Sequence, residues 1–226
     1  SLYEGCLMKS VVFDLDGTLA DTSEDLIAAA NACFEGLGLK KMLDPINDAS
    51  VAFQGGRAML KLGLERANSF DQTKIDKQYP ILLEHYKKHI DMNTILYEGV
   101  VEALIELQKR GYLLGVCTNK PEFLAEKLLK SLGIREYFSA MLGADTLLIK
   151  KPDPLHLWTT IDWMGGDRHK AVLVGDTITD LNTAKNANLD CILVSFGPEG
   201  SGVEDMKPSA LLDSYFDLPD LIDAIL

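Results

Sequence analysis

The sequence is short of positive charge. Its 226 residues carry 22 Lys and Arg against 34 Asp and Glu, a formal net charge of −12. A chain this acidic is a poor partner for nucleic acid or an anionic membrane surface. An anionic small molecule would have to be held by local cations or by a metal. There is also no run of about 18 apolar residues, so no transmembrane helix is expected. Ser1 to Leu7 hold neither a basic start nor an apolar stretch, so no signal peptide is expected there. Cysteine is scarce: Cys6, Cys33, Cys117 and Cys191 form no C-x-x-C pair. Cys117 and Cys191 sit inside apolar runs, where cysteine behaves as a small hydrophobe. That usage suits a reducing, cytoplasmic setting and not a disulfide framework. The four histidines, His85, His89, His156 and His169, have no partners at metal-ligand spacing and read as structural or surface residues. The glycines of Gly197 to Gly202 follow neither dinucleotide nor P-loop spacing, so a flexible loop is expected.

What is present is a rhythm of apolar runs and helical stripes. Val11-Val12-Phe13, Leu113 to Cys117, Val172-Leu173-Val174 and Cys191 to Val194 read as buried parallel strands, with a weaker one at Ala140 to Leu142. Helical spacing fills 98–110, 121–132 and 154–164, with Pro121 and Pro154 where a proline suits a first turn. Alternating strands and helices argue for an α/β domain with a mainly parallel sheet. Residues 22–91 break the rhythm with three helical stripes and no strand. These are Leu26, Ile27, Ala30, Phe34 and Leu37; then Met59, Leu60, Leu64 and Ala67; then Tyr79, Leu82, Leu83, Tyr86 and Ile90. The connection between the first two strands, residues 14–112, far exceeds a usual crossover. A helical subdomain over 22–93, inserted into a core of 8–21 and 94–226, accounts for it. Its hinges are expected near Asp21–Ser23 and Asn93–Gly99.

Ligands of open α/β sheets bind at the carboxyl ends of the strands. Asp14-Leu15-Asp16-Gly17-Thr18 follows the first strand, Thr118-Asn119 the second, and Gly175-Asp176 through Asp180 the Val172 strand. Lys150-Lys151-Pro152 precedes the 154–164 helix. Four carboxylates, a hydroxyl and a lysine thus gather at one edge. Crowded carboxylates repel, so a cation is needed, and all-oxygen ligands point to a hard ion, Mg²⁺ before Zn²⁺. The set suits phosphoryl transfer: one carboxylate attacks phosphorus, a second handles the proton, and cations neutralise the transferring group. Asp14 and Asp16 share a strand face by alternation, or share a site through the turn that Gly17 permits.

With these motifs in hand, the sequence resembles the haloacid dehalogenase superfamily, in its phosphatase branch with a helical cap. Asp14-Leu15-Asp16-Gly17-Thr18, Thr118, Lys151-Pro152 and Gly175-Asp176 through Asp180 stand in that family's order. The resemblance implies a Rossmann-like, three-layer α/β core with an inserted cap. It implies Asp14 as nucleophile and Asp16 as general acid/base. It implies Mg²⁺ held by the Asp14 side chain, the Asp16 carbonyl and Asp176, with Asp180 ordering metal waters or Lys151. Phosphate would be bound by Thr118, the Asn119 amide and Lys151, which is preferred over Lys150 because it directly precedes Pro152. Within the family the opening run Phe13 to Thr22 is most similar to phosphoglycolate phosphatases, so a small phosphorylated metabolite is the expected partner, for a monomer or a homodimer.

Blander readings stand beside these. Asp14 with Asp16 could be a capping turn, Thr118-Asn119 a plain turn, Lys151 a solvated lysine, and Asp180 a helix cap. Arg57, in Gln54-Gly55-Gly56-Arg57, could pair with a substrate carboxylate or face water at a helix start. Pyrophosphatases and sugar phosphatases share the same motifs. A β-phosphoglucomutase-like mutase is a further reading, although Arg57 directly follows two glycines and so lacks the Gly-x-x-Arg spacing. Asp16 argues against dehalogenation. A receiver-type signalling domain also combines aspartates, a hydroxyl and a lysine, but at about half this length.

Overall fold

The computed structural model describes residues 7–226; Cys6 and the rest of the N-terminal segment lie outside it. In chain order the elements are β1 (Met8–Phe13), β2 (Ala20–Asp21), α1 (Ser23–Gly36), α2 (Ala49–Ala52), α3 (Gly56–Arg66), α4 (Gln72–Lys88) and β3 (Ile95–Leu96). There follow α5 (Val100–Lys109), β4 (Leu113–Cys117), α6 (Glu122–Ser131), β5 (Ala140–Leu142), α7 (Pro154–Met164) and β6 (Gly166–Gly175). The chain closes with α8 (Ile178–Asn186), β7 (Asp190–Val194), β8 (Ala210–Leu212) and α9 (Leu218–Ile225). The described residues divide into two compact units, 7–19 with 96–226 and 20–95.

The first unit is built on a six-stranded sheet in the order β5-β4-β1-β6-β7-β8, with every pairing parallel. β1 lies between β4 and β6: Val12 is opposite Gly115 on one side and Leu173 on the other. Val12, Leu173 and Leu193 pack with Leu157 and Ile161 of α7 and Leu181 and Ala184 of α8. Val11, Phe13, Val172 and Val174 alternate with them and are also fully buried, so both faces of the sheet are covered. This is the parallel-sheet α/β domain that the apolar runs imply, in the three-layer form that the family resemblance implies. Burying each such side chain contributes about 1.5–3 kcal/mol, which offsets the cost of polar groups gathered elsewhere.

β6 begins at Gly166, well before its apolar run. Its first half, Asp167-Arg168-His169-Lys170, is largely exposed, so apolarity marked only the buried half. Gly200–Met206 forms a 3-10 helix where a flexible loop was expected; Val203, fully buried in the core, anchors it.

The second unit is helical. α1 packs on α2, α3 and α4, and α3 packs on α4. Ile27, Phe34, Met59, Leu60, Leu64, Leu82 and Tyr86 form its interior. Leu37 departs from the expected stripe: α1 ends at Gly36, and Leu37 is exposed as its cap. Asp25, 3% exposed, accepts hydrogen bonds from the Asn93 amide and the Thr94 hydroxyl, tying the end of the unit to its first helix. Among the described residues no helix is long and apolar enough to cross a membrane.

Candidate active site

The carboxyl ends of β4, β1 and β6 lie side by side because these strands are parallel neighbours. Asp14 is the first residue past β1. Its amide still donates to the Val174 carbonyl at 2.9 Å, and the Leu15 amide donates to its Oδ1 at 2.7 Å. Gly17 then adopts φ 78°, a left-handed conformation that glycine takes at little cost. The turn it closes brings the Thr18 hydroxyl to Asp176 Oδ1 at 2.9 Å. Tyr215, buried near the other end of the chain, donates its hydroxyl to the Thr18 carbonyl at 2.5 Å and holds the turn from outside.

Lys151 reaches into this edge from the turn before α7. Its Nζ donates to Asp180 Oδ1 at 2.7 Å and lies 3.2 Å from Asp14 Oδ1. The Lys151 side chain is 2% exposed, whereas neighbouring Lys150 is exposed. Asp180 does two things at once. One oxygen holds Lys151; the other accepts from the Asp176 amide at 3.1 Å and completes a capping box with Thr177 at the start of α8. Asp180 thus both caps α8 and hydrogen-bonds Lys151. Gly175 makes room for it, since a Cβ there would lie 2.3 Å from Asp180 Cγ.

Thr118 follows β4 and is 1% exposed. Its Oγ1 accepts from the Lys120 amide at 3.0 Å. The Asn119 side chain bridges to the Lys151 backbone, donating to its carbonyl at 2.9 Å and accepting from its amide at 3.0 Å. Sequence reasoning gave Asn119 only a backbone role and missed this clamp. It also missed Lys120, whose Nζ donates to Asp16 Oδ1 at 2.9 Å across a separation of 104 residues. A polar lysine after a strand carries no local signal of such a contact. Asp14, Asp16, Thr118, Asn119, Lys151, Asp176 and Asp180 thus all belong to one sheet edge. Arg57 lies in the other unit, where its guanidinium pairs with Asp76 at 2.6 Å and sits 4.6 Å over the Tyr79 ring.

The electrostatics follow from this crowding. Burial, and then the charge of Asp180, push the Asp14 carboxyl up to about 7, with Lys151 pulling the other way. Asp176 is held well above the usual carboxylate range, first by burial and then by Asp14 and Asp180. Asp180 goes below that range: burial opposes it, but the charge and hydrogen bond of Lys151 prevail. Lys151 is raised; burial alone would lower it, and Asp14 and Asp180 more than compensate.

The donor set fits a hard divalent cation. One oxygen each of Asp14, Asp176 and Asp180 lie within 4.8 Å of one another. Asp176 Oδ2 is buried without a hydrogen-bond partner among the described residues. Leaving such a group unsatisfied costs about 1–3 kcal/mol, and more when it is charged. All the oxygens are hard donors, the chemistry that Mg²⁺ selects.

Residues 11–194 match the model of the haloacid dehalogenase-like hydrolases. The phosphoglycolate phosphatase of Mesorhizobium japonicum is 39% identical over 208 residues, 92% of this chain and 91% of that protein. That of Neisseria meningitidis is 37% identical over 191 residues, 84% and 81% of the two chains. In fold, the chain is similar to a crystal structure described as a predicted phosphoglycolate phosphatase from Haemophilus somnus, with TM-score 0.81 at 24% identity over 95% and 97% of the chains. A haloacid dehalogenase-like hydrolase from Streptococcus pneumoniae gives TM-score 0.82 at 19% identity over 95% and 98%. With its motifs gathered on one sheet edge and a family match across most of its length, the chain belongs to the haloacid dehalogenase-like hydrolases and is a phosphatase among them.

Proposed function

We propose that this protein is a Mg²⁺-dependent phosphomonoesterase that works through an aspartyl phosphate on Asp14, with 2-phosphoglycolate as its substrate. One observation carries the reading. Asp14, with Lys151 at 3.2 Å, shares its cluster with Asp176, whose buried Oδ2 lacks a partner among the described residues. A nucleophile, a cation and a hard oxygen donor for a metal are what in-line phosphoryl transfer needs.

In this reading an Asp14 oxygen attacks phosphorus and the bond to the leaving oxygen breaks. Asp16 gives its proton to that oxygen. Water then attacks the phosphorus of the aspartyl phosphate and yields a proton to Asp16, and the bond to Asp14 breaks to release inorganic phosphate. Lys151, the Thr118 hydroxyl and the Asn119 amide hold the other phosphoryl oxygens. Asp180 keeps Lys151 in place. Mg²⁺ would be held by the Asp14 side chain, the Asp16 carbonyl and Asp176, and when bound it neutralises charge on the transferring group.

The helical unit serves as the cap of this reading. Arg57 is its candidate contact to a substrate carboxylate. The choice of 2-phosphoglycolate over pyrophosphate or sugar phosphates rests on the relatives' similarity. The test is turnover of those esters with Mg²⁺. Wild-type protein should favour 2-phosphoglycolate, and EDTA should stop turnover reversibly. Asp14→Asn should lose on the order of 10⁴-fold or more in kcat while melting as wild type does. Undiminished turnover by that variant would sink the reading.

A further inference from the structure

We infer that Lys120 is a positioning residue, which fixes the carboxylate of Asp16 for its proton transfers. The inference rests on the functional reading above, in which Asp16 is the acid and base. It adds a residue to which none of the phosphoryl-transfer motifs assigns a part.

The geometry carries it. Lys120 Nζ donates to Asp16 Oδ1 at 2.9 Å, and the two side chains are 4% and 15% exposed. A lysine side chain free in water carries about 2 kcal/mol of rotamer entropy. Here that freedom is already removed, because the residue is fixed at every point. Its amide donates to Thr118 Oγ1 at 3.0 Å. Its carbonyl accepts from the Ala144 amide at 2.8 Å. Its stem is buried. The ammonium is therefore delivered to one place, and Asp16 is held there by one oxygen.

The same residue also sets the Thr118 hydroxyl. By accepting from the Lys120 amide, Thr118 Oγ1 is left to point its own O–H elsewhere. Lys120 thus joins the acid/base carboxylate to the phosphate-binding hydroxyl. The two buried lysines divide the carboxylates between them: Lys151 attends Asp14 and Asp180, and Lys120 attends Asp16. A mere charge-balancing role would need a cation nearby. It would not need one anchored at amide, carbonyl and stem.

The experiment compares two esters in single-turnover assays with Mg²⁺. The p-nitrophenolate leaving group needs little protonation, whereas the alkoxide of 2-phosphoglycolate needs a proton from Asp16. Lys120→Met should lose about 100-fold on 2-phosphoglycolate, the scale of a misplaced catalytic group. It should lose about 10-fold or less on p-nitrophenyl phosphate, where general-acid assistance matters little. Added to Asp16→Asn, it should cost no more than about 2-fold, because residues acting as a unit are not additive. Lys120→Arg keeps the charge but moves it, so it should show a weaker form of the same split.

Equal losses on both esters, or a full further loss on the Asp16→Asn background, would overturn the inference. Wild-type behaviour of Lys120→Arg on both esters would do the same, since charge alone would then suffice. That variant also decides the matter should Lys120→Met fail to fold. If wild-type protein turns over neither ester, the functional reading itself has failed and the inference falls with it. Wild-type turnover tells the two failures apart.

Discussion

Among the described residues, the ion pairs with both side chains largely buried lie in the α/β unit, at its sheet edge; the other pairs of that unit and those of the helical unit keep at least one partner partly exposed. In the α/β unit Asp176, Asp180 and Lys151 are each no more than 3% exposed and share one sheet edge. In the helical unit the Arg57–Asp76 pair is more than half exposed, and Arg66, the partner of Asp48, is 42% exposed. Exposed pairs contribute about 0–1 kcal/mol and are screened by salt. Buried ions cost several kcal/mol each unless paired, so a fold built for stability alone would avoid three carboxylates around one lysine. Such a cluster marks a place where stability is given up for chemistry. The surface pairs of the helical unit carry no such mark.

Substitutions can break this contrast or sharpen it. Lys151→Met should have the largest effect of those that follow. It leaves Asp180 buried without its cation, which should cost about 3–5 kcal/mol in chemical denaturation. Turnover should fall about 10²–10³-fold, as when a donor to the transition-state charge is removed. A stability change under about 1 kcal/mol would make the buried set no different from a surface pair.

Gly175→Ala comes next. Its Cβ would meet Asp180 Cγ at 2.3 Å, so the capping box or the Lys151 contact must shift. A loss of about 1–3 kcal/mol is expected in thermal melting. Unchanged melting would mean that the edge is not closely packed.

The smallest effect belongs to the helical unit. Asp48 receives two hydrogen bonds from Arg66, at 2.8 and 2.7 Å, which hold its carboxyl below the usual carboxylate range. A depressed carboxyl stabilises the fold above its unfolded value, about 3.9. That contribution is lost as pH falls through the folded value. Asp48→Asn should cost about 1 kcal/mol at pH 7 and flatten the fall in stability below about pH 4. A cost matching that of Lys151→Met would erase the contrast.

Much of the fold was legible because its signals are local. Pro154 and the Leu155, Trp158, Ile161 spacing mark α7, and the 154–164 stripe coincides with Pro154–Met164. Val11 to Phe13 mark β1 because a doubly covered strand must be apolar throughout. β8 and α9 went unread, as did the exposed half of β6, since partial exposure weakens the apolar signal. Pro80 lies inside α4, where local rules would have broken a helix, yet packing of Leu82 and Tyr86 sustains it.

In the site, Asp14, Asp16, Asp176 and Lys151 were legible because strand ends gather chemistry at predictable places. The Asn119 clamp, the Thr18–Asp176 bond and Lys120–Asp16 were not. Each joins residues 32 to 158 positions apart, and only the folded register brings them together.

In the proposed reaction Asp14 carries the phosphoryl group. The most direct test of that step is peptide mapping by mass spectrometry of the Asp16→Asn variant, acid-quenched after exposure to p-nitrophenyl phosphate, whose leaving group needs little protonation, and Mg²⁺. Without its acid/base carboxylate the second step should stall. A phosphoryl adduct is expected on the peptide that contains Asp14, absent when Asp14→Asn is added. An adduct on another residue, or turnover by wild type with no adduct trapped in the variant, would contradict it.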